Sequence, residues 1–493
     1  MDHAAIQSSA SSFAPEHLEF ARVAFVAEHP GYGAGSALEA LRLTEYGRLD
    51  VLGQVYLDFT GGGLYADSQI ERHHELLRDH VLGNPHSHNP TSLASTALVE
   101  RARDAVFEYF NADPAEYDVV FTANATAALK LVGESYPFGH GDRYLLTYDN
   151  HNSVNGIREF ARAAGAEVTY LPVGEPDLRL DCTMVSAELG GVTAGQHRLF
   201  AFPAQSNFSG VQHPLEWVDE AHDLGWDVLL DCAAYAPTNR LDLSAVKPDF
   251  VPLSFYKMFG YPTGIGALIV RRDALRALRR PWFAGGTITL ASVQGTGWHH
   301  LAPGHVGFED GTLDYLGLPA VQIGLEHLSA IGIDAIHDRV MALTAWLLGA
   351  VRSLEHSNGA PMVRVFGPTD TECRGATIAF YLLDPSGAPY DVDRMEELAG
   401  RRGISLRTGC FCNPGDGEIA HHITHDDMAD CFVDKPAPVT FTECRDIIRD
   451  ATGKMPNTMR VSLGIASNFA DVYAFMSFAE SFRDCAGRSA EST

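Results

Sequence analysis

The stretch Leu253-Ser254-Phe255-Tyr256-Lys257-Met258-Phe259-Gly260-Tyr261-Pro262-Thr263-Gly264 is the most informative part of this sequence. Its lysine follows the apolar run FVPLS and precedes another, IGALIV, so Lys257 lies in a Gly- and Pro-rich turn between two predicted strands. Such a lysine is either a turn residue whose amine reaches solvent or a residue of a binding or catalytic site. The chain has only five lysines, which makes the search for a Schiff-base lysine short.

Outward from this turn, short apolar runs alternate with helical patterns between about residues 50 and 275. The runs are VYLDF, DVVFTA, RYLLTY, EVTYLPV, HRLFAFPA, WDVLLDCAA and FVPLS. This alternation predicts an α/β fold in which helices cover both faces of a mostly parallel sheet. Ligands of such sheets bind beyond the carboxyl ends of the strands, so we expect the chemistry directly after each apolar run.

The pattern changes near residue 320, where a long helical stretch is followed by ATIAFYLL and RVSLGIASN. We predict three parts: an N-terminal segment, 1–49, that packs with the small domain, a large domain, 50–320, and a small α+β domain, 321–493. The Gly-rich run Gly31-Tyr32-Gly33-Ala34-Gly35 has no strand before it. It is therefore interpreted as a linker before a helix and not as a dinucleotide-binding loop.

Composition excludes several classes of protein. The 493 residues are 46% hydrophobic, as in ordinary globular proteins, and the net charge of −27 disfavours nucleic acid and anionic membrane surfaces. The first residues, MDHAAIQSSASSFAPEHLEF, do not resemble a secretory signal. The sequence has no run of about 18 apolar residues, so no membrane-spanning helix is predicted. Eight cysteines in so long a chain do not suggest a disulfide framework, so we expect a cytoplasmic protein.

Four more strand ends carry polar residues. Asp231 ends WDVLLD, Thr126 opens a helix after DVVFTA, His151 follows RYLLTY, and Gln205 follows HRLFAFPA. Each has a simpler explanation, such as a helix cap or a structural histidine. Together with Lys257 they supply five functions. Lys257 has an amine, Asp231 a carboxylate, and Thr126 marks a helix start that can bind phosphate. His151 can stack on a flat ring, and Gln205 is a hydrogen-bond donor. This set fits pyridoxal phosphate better than any other cofactor.

A second turn, RTGCFCNPG, contains Cys410 and Cys412. Cysteines in a turn are accessible, and Arg407 beside them favours the thiolate. An alternative is a metal site that adds His421, His422 and His425, but Cys-x-Cys lacks the usual two-residue gap, so no metal is predicted. Later in the chain, Arg460 opens a strand and either binds a substrate carboxylate or forms a surface ion pair.

The stretches FPAQSNFSG, SFYKMFGYPTG, FEDGT and RTGCFCNPG together resemble the N-terminal domain of molybdenum-cofactor sulfurases. More broadly they resemble the cysteine-desulfurase branch of the class V aminotransferases. The resemblance extends over about residues 40 to 480. It implies a fold-type I pyridoxal-phosphate-dependent transferase, with a large mostly parallel domain and a smaller α+β domain, that works as a homodimer.

The resemblance also implies a role for each matching residue. Lys257 is similar to the Schiff-base lysine and proton carrier, and Cys412 to the cysteine that carries the persulfide, with Cys410 as the less favoured choice. The remaining implied roles are Asp231 beside the pyridine nitrogen, His151 on the ring, Gln205 at the phenolic oxygen, Ala125, Thr126, Ser254 and Tyr256 around the cofactor and its phosphate, Thr312 at the phosphate of the neighbouring subunit, and Arg460 with Arg407 at the substrate carboxylate.

The implied activity converts L-cysteine to L-alanine and passes sulfane sulfur on from Cys412. Two departures leave the acceptor open. Few residues follow RVSLG, so no second domain for a molybdenum cofactor is expected, and DGEIAHHITHDD stands where sulfurases often have an Ala-Cys pair. The acceptor is then a separate protein or a biosynthetic intermediate. The alternatives are a pyridoxal-phosphate-dependent lyase, aminotransferase or epimerase acting on another amino acid or intermediate, and an inactive binding partner in a sulfur-transfer assembly.

Overall fold

The computed structural model describes residues 12–34, 36–191, 197–433 and 438–486. The strands are β1 (Val55–Tyr56), β2 (Tyr117–Thr122), β3 (Arg143–Thr147), β4 (Glu167–Leu171), β5 (Val173–Gly174), β6 (Arg179–Leu180), β7 (Arg198–Pro203), β8 (Asp227–Asp231), β9 (Phe250–Ser254), β10 (Gly266–Arg271), β11 (Ile288–Ala291), β12 (His299–Leu301), β13 (Val363–Phe366), β14 (Thr377–Leu382), β15 (Ile404–Ser405), β16 (Arg407–Gly409) and β17 (Thr458–Ser462).

The helices are α1 (Leu18–Glu28), α2 (Pro30–Ala34), α3 (Ser36–Glu45), α4 (Arg48–Val51), α5 (Asp67–Asp79), α6 (Pro90–Tyr109), α7 (Ala125–Ser135), α8 (Asn152–Asn155), α9 (Ile157–Ala163), α10 (Cys182–Gly190), α11 (Trp217–Asp223), α12 (Phe255–Phe259), α13 (Arg272–Ala277), α14 (Leu318–Ile331), α15 (Ile333–Arg352), α16 (Val392–Arg401), α17 (Pro414–Ala420), α18 (His425–Phe432), α19 (Phe441–Thr452) and α20 (Phe469–Glu480). None of the described helices is long and apolar enough to cross a membrane.

The main sheet has seven strands in the order β2-β10-β9-β8-β7-β3-β4. Only β10 runs antiparallel to its neighbours. Every residue of β7 and of β9 is buried, as expected when helices cover both faces of a sheet. The predicted α/β fold with a mostly parallel sheet is therefore confirmed.

A second sheet lies later in the chain. Its four strands, in the order β13-β14-β17-β16, are all antiparallel. The N-terminal helices pack against α20: Phe25 stacks on Phe469 with ring centroids 4.7 Å apart, and Tyr473 Oη donates to the carbonyl of Ala14 at 2.9 Å. The division of the chain at residues 49 and 320 stays a prediction.

Two local expectations need correction. The Gly-rich run expected to be a linker forms the short helix α2, because its first residue, Pro30, has the φ that a helix start requires; Gly35 lies outside the described residues. The cysteines, for which no pairing was expected, include one disulfide, Cys431–Cys444, between α18 and α19. These two helices pack on each other, which brings cysteines 13 positions apart into contact.

Candidate active site

A cavity of about 200 Å³ opens at the carboxyl edge of the main sheet. Strands β2, β3, β7, β8 and β9 end there, and parallel strands present their carboxyl ends at one edge. The cavity is lined by eight of the predicted site residues, namely Ala125, Thr126, His151, Gln205, Asp231, Ser254, Tyr256 and Lys257. Residues that are far apart in the sequence are thus brought together by the topology of one sheet.

Lys257 lies in α12, a single helical turn that starts where β9 ends. The turn closes at Gly260, which has a φ of 78° and lies against Leu64 and Tyr65, where a side chain would collide with their backbone. Burial lowers the pKa of the Lys257 amine, and the charge of Arg460 lowers it further, while Asp231 opposes both. The lysine is therefore a more available nucleophile and base than an exposed one.

Asp231 is buried at the last position of β8, as the sequence predicted. Its Oδ1 accepts a hydrogen bond from the backbone N–H of Ala233 at 3.0 Å, which fixes the carboxylate at the wall of the cavity. A buried carboxylate is stable only with hydrogen bonds or a cationic partner. A protonated pyridine nitrogen is such a partner.

His151 caps the start of α8, so its ring is held in one orientation. Its Nδ1 accepts a hydrogen bond from the backbone N–H of Ser153 at 3.2 Å, which leaves the ring proton of the neutral form on Nε2. Burial lowers the pKa of His151, and the charge of Lys257 acts in the same direction. A neutral, fixed imidazole suits stacking on a flat ring.

The start of α7 has the groups that an anion site requires. Asn124 caps the helix by accepting from the N–H of Ala127 at 2.9 Å, and the N–H of Ala125 donates to Ser254 Oγ at 2.9 Å. Thr126 Oγ1 and Ser153 Oγ are 2.8 Å apart at the same end. Hydroxyl groups around a helix N-terminus bind phosphate through N–H and O–H donors and through the helix dipole.

The amide of Gln205 is oriented by its neighbours. Its Oε1 accepts from Gln212 Nε2 at 3.0 Å and from Asn239 Nδ2 at 3.3 Å, so Nε2 remains as the donor at the cavity. Gly375 packs against this amide, and a Cβ on Gly375 would overlap Gln205 Oε1. Sequence reasoning missed Gly375, Gln212 and Asn239, because none of them follows a predicted strand of the main sheet.

The two predicted substrate arginines share one carboxylate, which the sequence did not reveal. Asp58 Oδ2 lies 2.6 Å from Arg407 Nη2, and its Oδ1 lies 3.0 Å from Arg460 Nη2. Arg460 Nη1 also donates to the carbonyl of Asn207 at 2.8 Å, and burial lowers the pKa of this arginine to about 10 although Asp58 opposes the shift. Neither arginine lines the cavity, but the charge of Arg460 acts on Lys257.

The cysteine turn has an unusual backbone that is tied to the main sheet. Phe411 and Cys412 both adopt positive φ, at 54° and 55°, which costs a non-glycine residue about 1 kcal/mol or more. The carbonyl of Cys412 accepts from the N–H of Asn152 at 2.7 Å, and that of Phe411 accepts from Asn207 Nδ2 at 2.7 Å. These bonds hold Cys412 exposed and next to Asn152, whose two neighbours, His151 and Ser153, line the cavity of Lys257.

Cys410 differs from Cys412 in its environment. It is half-buried, and burial raises the pKa of its thiol. A protonated thiol is a poor nucleophile, so the geometry favours Cys412 as the reactive cysteine.

Thr312 and the alternative metal ligands lie elsewhere. Thr312 lines a separate cavity of about 380 Å³ and does not line the cavity of Lys257. His421 is buried between Tyr381 and Thr458, whereas His422 pairs with Glu175. Among the described residues, no three histidine, cysteine or acidic side chains are grouped to hold a metal ion.

The cavity therefore combines an amine of lowered pKa, a buried carboxylate, an anion-binding helix start, a neutral imidazole and an amide donor. These groups fit the aldehyde, the pyridine nitrogen, the phosphate, the ring and the phenolic oxygen of pyridoxal phosphate. Fold and site together define a fold-type I pyridoxal-phosphate enzyme.

Comparisons with known proteins agree. The model of the family "Aminotransferase class-V" matches residues 55–475, so the chain belongs to the class V aminotransferase family. The predicted resemblance, fold, enzyme class and cofactor are confirmed. Molybdenum cofactor sulfurase from Solanum lycopersicum is 37% identical over 473 residues, which cover 90% of this chain and 57% of that protein. The human protein of the same name is 37% identical over 471 residues, with 91% and 51% covered.

The chain thus spans about half the length of the curated relatives that it matches. Among solved structures, a cysteine desulfurase from Thermococcus onnurineus has a TM-score of 0.73 at 22% identity. The match covers 90% of this chain and 97% of that one, so the two proteins share the fold over almost their whole length.

Proposed function

We propose that this protein is a cysteine desulfurase-like enzyme that converts L-cysteine to L-alanine and holds the sulfane sulfur as a persulfide on Cys412. The family and the relatives named molybdenum cofactor sulfurase support sulfur-transfer chemistry. The observation that carries the proposal is the position of Cys412. Its exposed thiol lies on a turn bonded to Asn152, beside the cavity that contains Lys257.

The side chains of this chain divide the work. When bound, pyridoxal phosphate supplies an electron sink for the negative charge that develops at the substrate Cα. Lys257 removes the Cα proton with its neutral amine, and Asp231 holds a proton on the pyridine nitrogen. Arg460 and Arg407, which both pair with Asp58, would bind the substrate carboxylate through their guanidinium groups.

Cys412 then receives the sulfur. Its thiolate attacks the substrate sulfur, the new S–S bond forms as the Cβ–S bond breaks, and the electron pair stays with Cβ. Cβ takes up a proton and becomes the methyl group of alanine. No external oxidant or reductant is consumed in this step, because the two electrons that the sulfur loses are kept by Cβ.

The proposal extends to assembly and location. The enzyme would be a cytoplasmic homodimer in which Thr312 of a second copy contacts the cofactor phosphate, and a separate protein or biosynthetic intermediate would accept the sulfur. The support is that Thr312 lies in a cavity apart from its own Lys257.

The test is a single turnover with L-cysteine and no added thiol. We expect one alanine per site and a mass increase of one sulfur atom on Cys412. Cys412→Ser should lose the persulfide but keep the visible spectrum of the bound cofactor, and Cys410→Ser should retain both. Turnover that survives Cys412→Ser without a persulfide would instead assign a lyase or an aminotransferase.

A further inference from the structure

A second cavity, of about 630 Å³, lies behind the cysteine turn and is separate from the cavity of Lys257. It lies between α17, α18 and α19, which supply most of its lining. Its lining is mostly apolar and includes Pro414, Ile423, Met428, Phe432, Phe441 and Ile448. Its volume falls within the range of about 300–1,000 Å³ that is usual for small-molecule sites.

The cavity reaches the cysteine turn. Cys410 and Asn152 both line it, and the N–H of Asn152 holds the carbonyl of Cys412. Because burial raises the pKa of Cys410, this wall presents a neutral thiol. Phe432 and Phe441, which also line the cavity, are 75% and 49% exposed, so the cavity opens to solvent beside them.

The charged groups in the described lining do not favour an anion. Burial raises the pKa of Glu418, and Arg158 only partly opposes that shift. This favours the neutral form of the carboxyl group, which offers an anionic ligand no positive charge. Arg445 is already paired with Asp393 at 2.6 Å and with Asp446 at 3.5 Å. The net charge of −27 adds a long-range penalty for anionic ligands. The disulfide Cys431–Cys444 forms part of the wall and joins the two helices across it.

We propose that this cavity binds an uncharged, largely apolar small molecule, which contacts the thiol of Cys410 in the cavity wall. This ligand is distinct from the amino acid substrate, so the inference goes beyond the proposed function. An anionic phosphorylated compound finds no unpaired cation among the described lining residues. A ligand here would cover Cys410 while Cys412, which is exposed and does not line this cavity, remains accessible.

The test compares two fluorescent probes that differ by one sulfonate group. N-phenyl-naphthylamine is neutral, and anilinonaphthalene sulfonate is its anionic analogue. On purified holoenzyme, the neutral probe should bind saturably and about tenfold more tightly than the anion, equivalent to about 1.4 kcal/mol. Equal or tighter binding of the anion would overturn the proposal, as would the absence of saturable binding.

A charge placed at the mouth should weaken binding. Phe441 is the first residue of α19, where a glutamate is favourable for the helix, so Phe441→Glu should fold normally. We expect its affinity for the neutral probe to fall about tenfold, since a charge borders the apolar wall. Phe20→Glu, at an exposed position of α1 outside the cavity, is the matched control and should bind as the unmodified protein does. Equal affinities of the two variants would contradict the site.

Alkylation locates the bound probe independently of activity. Saturating neutral probe should slow the reaction of Cys410 with N-ethylmaleimide about tenfold, because the thiol is covered. Exposed Cys182 and Cys373 should react at unchanged rates. Unchanged alkylation of Cys410 would show that the probe binds elsewhere. A catalytically inactive protein can still give this protection, so this test and the turnover test can fail separately.

Discussion

Asp58 Oδ1 accepts a hydrogen bond from Arg460 Nη2 at 3.0 Å, although the two residues are 402 positions apart. Arg460 is almost fully buried, and its guanidinium group lies 4.5 Å from the ring of Phe411 in the cysteine turn. Arg460, in the second sheet, thus contacts both Asp58, which follows β1, and the cysteine turn. The same carboxylate also binds Arg407, whose side chain is 49% exposed.

Asp58→Asn should destabilise the protein, because it leaves the buried charge of Arg460 without an anion. Removing one member of a buried ion pair costs about 3 kcal/mol or more, and we expect a loss of that size in the free energy of unfolding. Urea denaturation measures it. Asp67→Asn breaks an exposed pair with Arg48 and should cost less than about 1 kcal/mol. Similar losses in the two variants would contradict the importance assigned to Asp58.

Gly375→Ala should weaken cofactor binding. The added methyl group would overlap Gln205 Oε1, so the amide must rotate away from Gln212 and Asn239 and lose its orientation at the cavity. We expect the dissociation constant for pyridoxal phosphate, measured by equilibrium dialysis, to rise about tenfold, the effect of one misplaced hydrogen bond.

The control for Gly375 is a glycine with free space. Gly349 lies within α15 and has no atom within 4 Å of its would-be Cβ. Gly349→Ala should leave cofactor binding unchanged and raise stability by up to about 1 kcal/mol, because alanine is the better helix former. Weaker cofactor binding in this variant would show that the assay reports general damage.

The sequence predicts the part of the site that follows from local order along the chain. Lys257 and Asp231 could be found because they end apolar runs, and the carboxyl ends of parallel strands meet at one edge. Asp58, Gly375 and Asn239 could not, because their roles depend on contacts between distant segments. Nothing in the composition around Asp58 reveals that Arg407 and Arg460 converge on it.

The cysteine turn illustrates the same limit. The glycines and the proline around Cys410 and Cys412 predicted an accessible turn, but only the folded chain separates a half-buried thiol from an exposed one. The Cys431–Cys444 disulfide was missed for a related reason. Its formation depends on the packing of α18 against α19, which the positions of the cysteines along the chain do not indicate.

If two copies share their sites, Thr312→Val should weaken cofactor binding in a way that a second copy can rescue. We expect about a tenfold rise in the dissociation constant of the Thr312→Val homodimer, from the loss of one hydroxyl contact to phosphate. A mixed dimer of Thr312→Val with Lys257→Ala contains one site in which both residues are intact. That site should bind the cofactor with normal affinity. Affinity equal to that of the Thr312→Val homodimer would contradict a shared site.

The buried carboxyl group of Asp416 should make the free energy of unfolding decrease as pH rises. Its carboxyl group is fully buried, and Ser206 Oγ donates to its Oδ2 at 2.6 Å. Burial, followed by the charge of Asp149, raises the pKa of Asp416 well above its usual value. In the folded state the group keeps its proton, while in the unfolded chain it ionises above about pH 4. The folded state therefore loses relative stability as pH rises from there towards the folded pKa.

Asp416→Asn removes this dependence, since an amide of the same shape carries no charge in either state. Its stability relative to the unmodified protein should increase with pH by up to about 1.4 kcal/mol per unit while the folded carboxyl stays protonated. Urea denaturation at pH 5 and pH 8 measures the difference. Asp427→Asn is the control. A hydrogen bond from Lys454 lowers the pKa of Asp427 to about 2, so this carboxyl group is ionised at both pH values. Asp427→Asn should therefore change the free energy of unfolding by the same amount at pH 5 and at pH 8. A pH-independent effect of Asp416→Asn would mean that Asp416 is ionised in the folded protein.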